Sequence, residues 1–492
     1  MTDVDAVVIG AGNAGLTAAA TLQQSGIRTL LVERHNVPGG TGTSFRRGRF
    51  EFETALHQLS GIGKPGNPGP LFGVLQSLGV TDKIEFVREH DLYRSVVVGS
   101  HDVTIPTDWG QASDNLEDAF PGNRIAIEKF FELVRTITMC QVGAMRGAPA
   151  DKLDPVLFTH GLRSLAEVLD EYFTDPRLKH VLGVYWTYLG LPPGQITFQD
   201  WALTFYAYVE FGPAHIIGGS QAMSTAILDT FLEHGGEVRF NNGAQKILTD
   251  ARGVVGVRLD DGTEVSTRDV ISNASLPTTL AMLDDPPSAL YADLSTRNLS
   301  ISAVVLHMGL NASPAELGFT TSTSFVGHDL DEDTIFANWN SLEPARTVGV
   351  TCYDVEPIGF SPRGASHASL ITLPYGHVWD SVSPRDYHRV KFDYAQSMLD
   401  VAEVLTPGLR DAIEEVDVAT PRTMARYLGH PSGAIYGYQQ DRTENWLFRQ
   451  TERNTHVPGL YVAGTWAGLC GFEPALESGA RVARRLVRNR AA

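Results

Sequence analysis

The chain has only three cysteines in 492 residues, Cys140, Cys352 and Cys470. An odd, widely spaced set excludes a disulfide framework and a cysteine-based zinc site. Long hydrophobic runs are also missing: the most apolar stretches are broken by a charge or a glycine within about 12 residues, too soon to span a bilayer. Basic residues are the scarcer charge, 39 against 57 acidic, and the formal net charge of −18 disfavours nucleic acid and gives no attraction to anionic lipid. No Ser-His-Asp, Cys-x-x-Cys or His-Glu-x-x-His arrangement appears, which fits chemistry carried by a bound cofactor. The acidic stretch Met1 to Asp5 leads straight into a strand without the pattern of a secretory leader, which gives a cytoplasmic expectation.

What the chain does have is glycine, 48 residues of it, and 43% hydrophobic residues, enough for a packed α/β protein with many tight turns. Its length favours two lobes over a single core. The first forty residues are the most informative. Ala6 to Ile9 is a short apolar run ending at Gly10, followed by Gly12, Asn13, Ala14 and Gly15, an Ala/Leu-rich helical segment from Leu16 to Gln24, and a second apolar run, Thr29 to Val32. This is the strand, glycine turn, helix and strand of a dinucleotide-binding βαβ unit. Gly10 allows the sharp turn, Gly12 the approach of a pyrophosphate and Gly15 close helix-to-strand packing, while the helix N-terminus offers free N–H groups. Glu33 directly after the second strand is placed to accept hydrogen bonds from ribose hydroxyls. A second glycine-rich loop, with Gly39, Gly40, Thr41, Gly42 and Thr43, comes soon after Arg34. A loop able to wrap the pyrophosphate from its other side argues for tightly held FAD rather than exchangeable NAD.

On these residues the sequence resembles the phytoene desaturase, carotenoid isomerase and retinol saturase group of flavoproteins, over nearly the whole chain. The segment Phe50 to His57 matches that group's strand and turn, with Ala55 where glycine is usual; Ile217 to Ala222 matches a returning helix start that Ser220 is expected to cap. Gly235 to Phe240 with Ala244 and Ile247, then Val254 to Leu259 and Val270 to Ala274 with Asn273, match the strands near the adenine, and the Asp261-Gly262 turn reads as a β-hairpin. Val457 to Gly464, with Thr465 after it, leads to a last helix opened by Gly471, Phe472 and Ala475. In the resembled group that helix points its N-terminus at the flavin, where the macrodipole favours negative charge. Thr465 stands where relatives carry an acid or amide. Pro474 stands where glycine is common, without an N–H to donate but suited to a first helical turn.

The resemblance implies an α/β fold: a Rossmann-type (GR2-like) FAD domain formed from residues 1–65, 215–285 and 420–492, with a discontinuous α+β substrate domain from 66–214 and 286–419. It implies an FAD-dependent oxidoreductase moving hydride between an apolar polyene or isoprenoid and flavin N5, with desaturation, saturation and cis–trans isomerisation all open. His57, Glu473 and Tyr436 are the candidate proton-handling residues, with Glu53 and Tyr438 behind them, and Cys470 reads as a small buried hydrophobe. Each has a structural alternative: core packing for the tyrosines, a backbone bond for His57 and a helix cap for Glu473. The aromatic stretch Phe198 to Phe211 is either helix core or a tunnel wall, and Tyr353 and the strand Ile301 to Met308 are further wall candidates. An apolar small-molecule substrate and peripheral membrane contact, through Pro70 to Leu75, are the expected partners; oligomeric state is not readable. Two rivals are a flavin amine or amino-acid oxidase and a non-enzymatic prenyl-binding protein like the GDP dissociation inhibitors. The second is hard to reconcile with intact Gly10, Gly12, Gly15 and Glu33.

Overall fold

A computed structural model describes residues 2–442, 455–468 and 470–491. Ala6–Ile9 and Thr29–Val32 are fully buried, all-apolar strands and therefore sit in the interior of a parallel sheet. That sheet has five strands in the spatial order Glu237–Arg239, Thr29–Val32, Ala6–Ile9, Asp269–Ser272 and Leu460–Val462. In order along the chain this is 3-2-1-4-5, the doubly wound arrangement whose ligand crevice opens where the order reverses, beyond the ends of Ala6–Ile9 and Asp269–Ser272. The hairpin expected around Asp261-Gly262 belongs to a separate four-stranded sheet, whereas Asp269–Ser272 joins the parallel one.

Two helices cover the same face of this sheet. Asn13–Gln24 begins at Gly12 without any side-chain cap, so its first N–H groups are free. It packs directly on the last helix, Phe472–Ala491, where Thr17 donates a hydroxyl hydrogen bond to the Leu476 carbonyl at 2.8 Å. Gly479 makes this crossing close: a Cβ there would lie 2.0 Å from the Ala14 carbonyl oxygen and 2.2 Å from Thr17 Oγ1.

The second sheet has seven strands, in the order His101–Pro106, Asp91–Val97, Thr323–Gly327, Thr347–Cys352, Ser366–Thr372, Val304–Leu310 and Ile413–Ala419. All its neighbours are antiparallel except Asp91–Val97 with Thr323–Gly327. The period-two alternation of a strand separates its faces. Val304, Leu306, Met308 and Leu370 pack with Tyr394, Met398 and Leu399 of the helix Tyr387–Ala402. Val305, Phe325, Gly349, Thr351 and Ile371 turn to the other side, towards the cavity described below.

Helices Arg124–Met145 and Phe198–Phe211 roof that cavity. They lock together through Phe130 against Phe198 and Trp201, with ring centroids 5.8 and 5.7 Å apart, and Phe131 against Phe205 at 5.9 Å. The rings of the aromatic stretch divide between core and cavity. Trp201 and Phe205 are fully buried core, while Tyr206 and Tyr208 reach the cavity wall.

Two expectations are corrected here. Ser220 is not a cap: Gly218 occupies that position with a left-handed φ of 76°, and the Ser220 hydroxyl instead donates to Glu53. Pro70–Leu78 forms a helix whose apolar residues Leu71, Val74, Leu75 and Leu78 are buried, so it presents no apolar stripe to a membrane. Replacing Gly479 by alanine should push the two covering helices apart and cost about 1–3 kcal/mol. The check is a lowered midpoint of thermal unfolding; an unchanged midpoint would mean the crossing relaxes freely.

Candidate active site

The site begins with crowding at the carboxyl ends of the first and fourth parallel strands. Gly10 has a φ of +90°, and the carbonyl oxygen it presents lies 1.8 Å from where a Gly15 Cβ would be. The Asn273 side chain fills space left by glycines: its Nδ2 lies 2.7 Å from a Cβ placed on Gly12, and its Oδ1 lies 2.6 Å from one placed on Gly464. The backbone N–H of Asn273 donates to the Ile9 carbonyl at 2.8 Å.

The second glycine loop is tied to the first turn. The Gly39 N–H donates to the Ala11 carbonyl at 2.7 Å, Gly42 N–H donates to Gly39, and the Ser224 hydroxyl donates to the Gly42 carbonyl at 2.7 Å. The Thr54 hydroxyl lies within hydrogen-bonding distance of the Thr41 and Thr43 carbonyls, at 2.7 and 2.8 Å. Glu33 accepts from the Ala11 N–H through one oxygen and from the His35 N–H through the other, both at 2.7 Å. The acid therefore holds the turn and still has lone pairs for a ligand. Arg34 donates to the carbonyls of Arg426 and Tyr427 at the end of the helix Pro421–Leu428, closing that flank.

One continuous cavity of about 1960 Å³ runs from this cradle to the apolar face of the seven-stranded sheet. Typical pockets for a single small ligand measure roughly 300–1,000 Å³, so there is room for a dinucleotide and a long second molecule. Of the sequence-derived cofactor positions, Gly10, Gly12, Asn13, Ala14, Glu33, Arg34, Gly39, Gly40, Thr41, Ala244, Asn273, Thr465, Gly471, Phe472 and Ala475 line it. Gly15, Gly42, Thr43 and Gly464 lie behind the wall and support it. Ala55 lines the cavity with an ordinary negative φ, so alanine is accommodated without strain there. Pro474 sits in the first turn of Phe472–Ala491, where the Ala475 N–H still reaches the Gly471 carbonyl at 3.2 Å.

The proton-handling candidates separate clearly. Glu473 lines the cavity; burial pushes its carboxyl up to about 7, the Ser60 hydroxyl donates to it, and Gly61, with a φ of +78°, leaves it room. His57 also lines the cavity, but burial and the neighbouring His215 push it down to about 4, so its ring is neutral. Its Nδ1 lies 3.2 Å from the Tyr353 hydroxyl and 3.3 Å from Thr351 Oγ1, and among the described residues its buried Nε2 has no partner. Burial keeps the Tyr436 phenol protonated, and it pushes the Cys470 thiol up to about 12, so thiolate chemistry is disfavoured.

Glu53 and Tyr438 are not on the cavity wall. Glu53 is buried against Ser220, accepting from its N–H at 2.8 Å and its hydroxyl at 2.5 Å, and ties the strand Phe50–Glu53 to the helix Gly219–Glu233. Tyr438 packs edge-on against Trp466, with the Arg297 guanidinium 5.2 Å from its ring centroid. Sequence reading missed Ser60, whose only mark is its place shortly after the matched turn. It also missed Thr138, Gln141 and Gln199, discussed below.

A doubly wound dinucleotide cradle opening into an apolar chamber defines the architecture of two-lobed FAD-dependent oxidoreductases. The family model for flavin containing amine oxidoreductases matches residues 13–487, and the chain belongs to that family. It is 25% identical to all-trans-retinol 13,14-reductase of Danio rerio over 99% of this chain and 86% of the relative. It is 23% identical to the chloroplastic prolycopene isomerase of Daucus carota over 94% and 76%. Among solved structures, cyclohexylamine oxidase from Brevibacterium oxydans superimposes with a TM-score of 0.64 at 15% identity, covering all of both chains.

The cofactor is FAD, and the cradle fits it. Glycines stand where any Cβ would collide, the helix Asn13–Gln24 has an uncapped start, and buried Asn13 Oδ1 and Trp466 Nε1 on the cavity wall lack partners among the described residues. Glu33→Ala removes the brace on the Ala11 N–H at the edge of the cradle and should weaken FAD retention about tenfold or more. The ratio of flavin to protein absorbance after gel filtration measures this; an undiminished ratio would detach Glu33 from the cofactor.

Proposed function

We propose that the protein moves hydride and a proton to or from an elongated apolar substrate of the polyene or isoprenoid class. The observation carrying this reading is the continuous cavity, in which the dinucleotide cradle opens onto Val305, Phe325, Ile371, Leu203, Tyr206 and Tyr208. Curated relatives named for retinol reduction and prolycopene isomerisation support it. Bound FAD supplies hydride transfer at N5. In this reading segments 1–65, 215–285 and 420–492 form the FAD lobe and 66–214 with 286–419 the substrate lobe. Every strand of the parallel sheet falls in the first set and every strand of the seven-stranded sheet in the second.

The chain's own residues position, seal and handle the proton. Backbone N–H groups at the start of Asn13–Gln24 and the glycine loops hold the pyrophosphate, Glu33 holds the ribose, and Arg34 closes the flank. The residues around Gly471, Phe472 and Ala475, at the start of the last helix, face the flavin end. The apolar wall excludes water and orients the substrate chain. Saturation consumes one proton with each hydride and desaturation releases one. Glu473, half protonated near pH 7, is the group suited to hold that proton. Neutral His57 and Tyr436 line the reaction chamber as hydrogen-bonding and packing groups.

An apolar substrate arrives from a lipid phase, and the exposed side chains Met139, Met145, Phe158 and Leu162 on the cavity rim are the ones to meet it. Among the described residues no helix is long and apolar enough to cross a membrane.

The direct test is aerobic and anaerobic turnover of dispersed polyenes by the flavin-loaded protein, with amines as the counter-substrates. Polyene turnover is expected, and hydrogen peroxide from amines without polyene turnover would overturn the reading. In the saturating direction the rate should fall as pH rises through about 7, because Glu473 loses the proton it must give. Glu473→Gln should lower kcat by about 10²–10⁴-fold and flatten that limb while FAD stays bound. An unaltered pH profile in the variant would relieve Glu473 of the role.

A further inference from the structure

Where the helices Arg124–Met145 and Phe198–Phe211 border the chamber, the wall carries a group of polar side chains that the chemistry above does not use. Thr138, Gln141 and Gln199 are 1, 2 and 3% exposed, and all three line the cavity. Among the described residues, Thr138 Oγ1, both side-chain polar atoms of Gln141 and Gln199 Nε2 have no hydrogen-bond partner. Thr138 and Gln141 stand three residues apart, hence on one face of the helix Arg124–Met145. Gln199 is in the first turn of the helix Phe198–Phe211 packed against it, held by its backbone N–H to the Gly161 carbonyl at 3.1 Å. Around them the same wall is formed by Val142, Leu153, Leu157 and Leu203.

Leaving so many desolvated donors and acceptors unmatched costs stability, and apolar residues of the same shape would remove that cost. They are explained if a ligand supplies the missing partners. Resting on the proposed polyene reading, we infer that Thr138, Gln141 and Gln199 form a subsite for a neutral oxygen, a hydroxyl or carbonyl, carried by the otherwise apolar substrate. None of the three side chains is charged, and the neighbouring acid on this wall, Asp200, already accepts from the Thr197 hydroxyl at 2.7 Å, so the group matched to the three is neutral rather than a carboxylate or ammonium. Gln141 supplies both a donor and an acceptor, Thr138 a hydroxyl that serves as either, and Gln199 a donor. A hydroxyl can satisfy a donor and an acceptor together, whereas a carbonyl takes donors only. The subsite would fix which end of the substrate lies deepest and so which bond reaches the cofactor.

The test uses the FAD-loaded protein and two probes of equal length, all-trans-retinol and the hydrocarbon in which its CH₂OH is replaced by CH₃. Binding is followed by the shift in polyene absorbance. The alcohol is expected to bind about tenfold more tightly than the hydrocarbon. The double variant Thr138→Val with Gln141→Leu, close to isosteric, should abolish that preference while keeping hydrocarbon affinity, and should unfold at a temperature no lower than the parent. Equal affinity for both probes in the parent protein would overturn the subsite and leave the polyene reading standing, the polar groups then being matched by water alone. A retained alcohol preference with a lowered unfolding temperature in the variant would make the side chains structural and overturn the inference. Failure of both probes to bind the parent would overturn the polyene reading itself, and the subsite with it.

Discussion

The structure depends on how closely backbone can approach backbone beyond the ends of Ala6–Ile9 and Asp269–Ser272. The absent side chains of Gly12, Gly15 and Gly464 make room for one residue, Asn273, and for the carbonyl of Gly10. The first helix can then start directly after the first strand, and its start stays open towards the cavity. Gly479 repeats the device one layer out, letting the last helix lie on the first. Two helices joined by residues 459 positions apart, Thr17 of Asn13–Gln24 and Leu476 of Phe472–Ala491, thereby border one chamber from adjacent positions. A methyl group at any of these glycines would meet backbone or a packed side chain, and neither yields cheaply.

Within the chamber, burial decides which groups can do chemistry. Removing water disfavours charge of either sign, so acids rise and histidines fall. Glu473 is pushed up to about 7, and His57 and His430 down to about 4. The same force therefore gives a carboxyl that exchanges a proton at neutral pH and histidines that do not. Glu53 is also pushed up to about 7, yet it is spent on Ser220 away from the cavity. A perturbed acid marks a reaction site only where it also faces the reactants.

The dinucleotide half was readable from sequence because its constraints are local. The turn, the helix and Glu33 fall within a few dozen residues, and each demands a particular residue type. The chamber half is non-local. The helical period of Phe198 to Phe211 identified the helix, but only its packing against Arg124–Met145 shows that Trp201 faces core and Tyr206 the cavity. Ser220 was misread for a related reason. A serine near a glycine-rich helix start resembles a cap, and its true partner, Glu53, is 167 positions away. The polar subsite did leave a trace: Thr138 and Gln141 interrupt a helix whose other buried positions, such as Phe130, Phe131, Val134 and Ile137, are apolar. A polar residue in phase with a core stripe either finds a partner in the fold or waits for one, and sequence alone does not say which.

The strands of the two large sheets interleave along the chain, and this has a mechanical consequence. The polypeptide leaves the parallel sheet after Thr29–Val32, returns at Glu237–Arg239 and Asp269–Ser272, and returns again at Leu460–Val462. Several connections therefore pass between cradle and chamber, and a hinge motion would have to bend all of them together. Direct ties reinforce this: the Tyr353 and Thr351 hydroxyls of the seven-stranded side meet His57, and the Arg34 guanidinium clasps the end of Pro421–Leu428. A rigid chamber suits a reaction in which a flexible, weakly polar substrate must present one particular carbon to the cofactor. The apolar wall provides little directional force to select it, and orientation must then come from shape and from the few polar atoms that the wall retains.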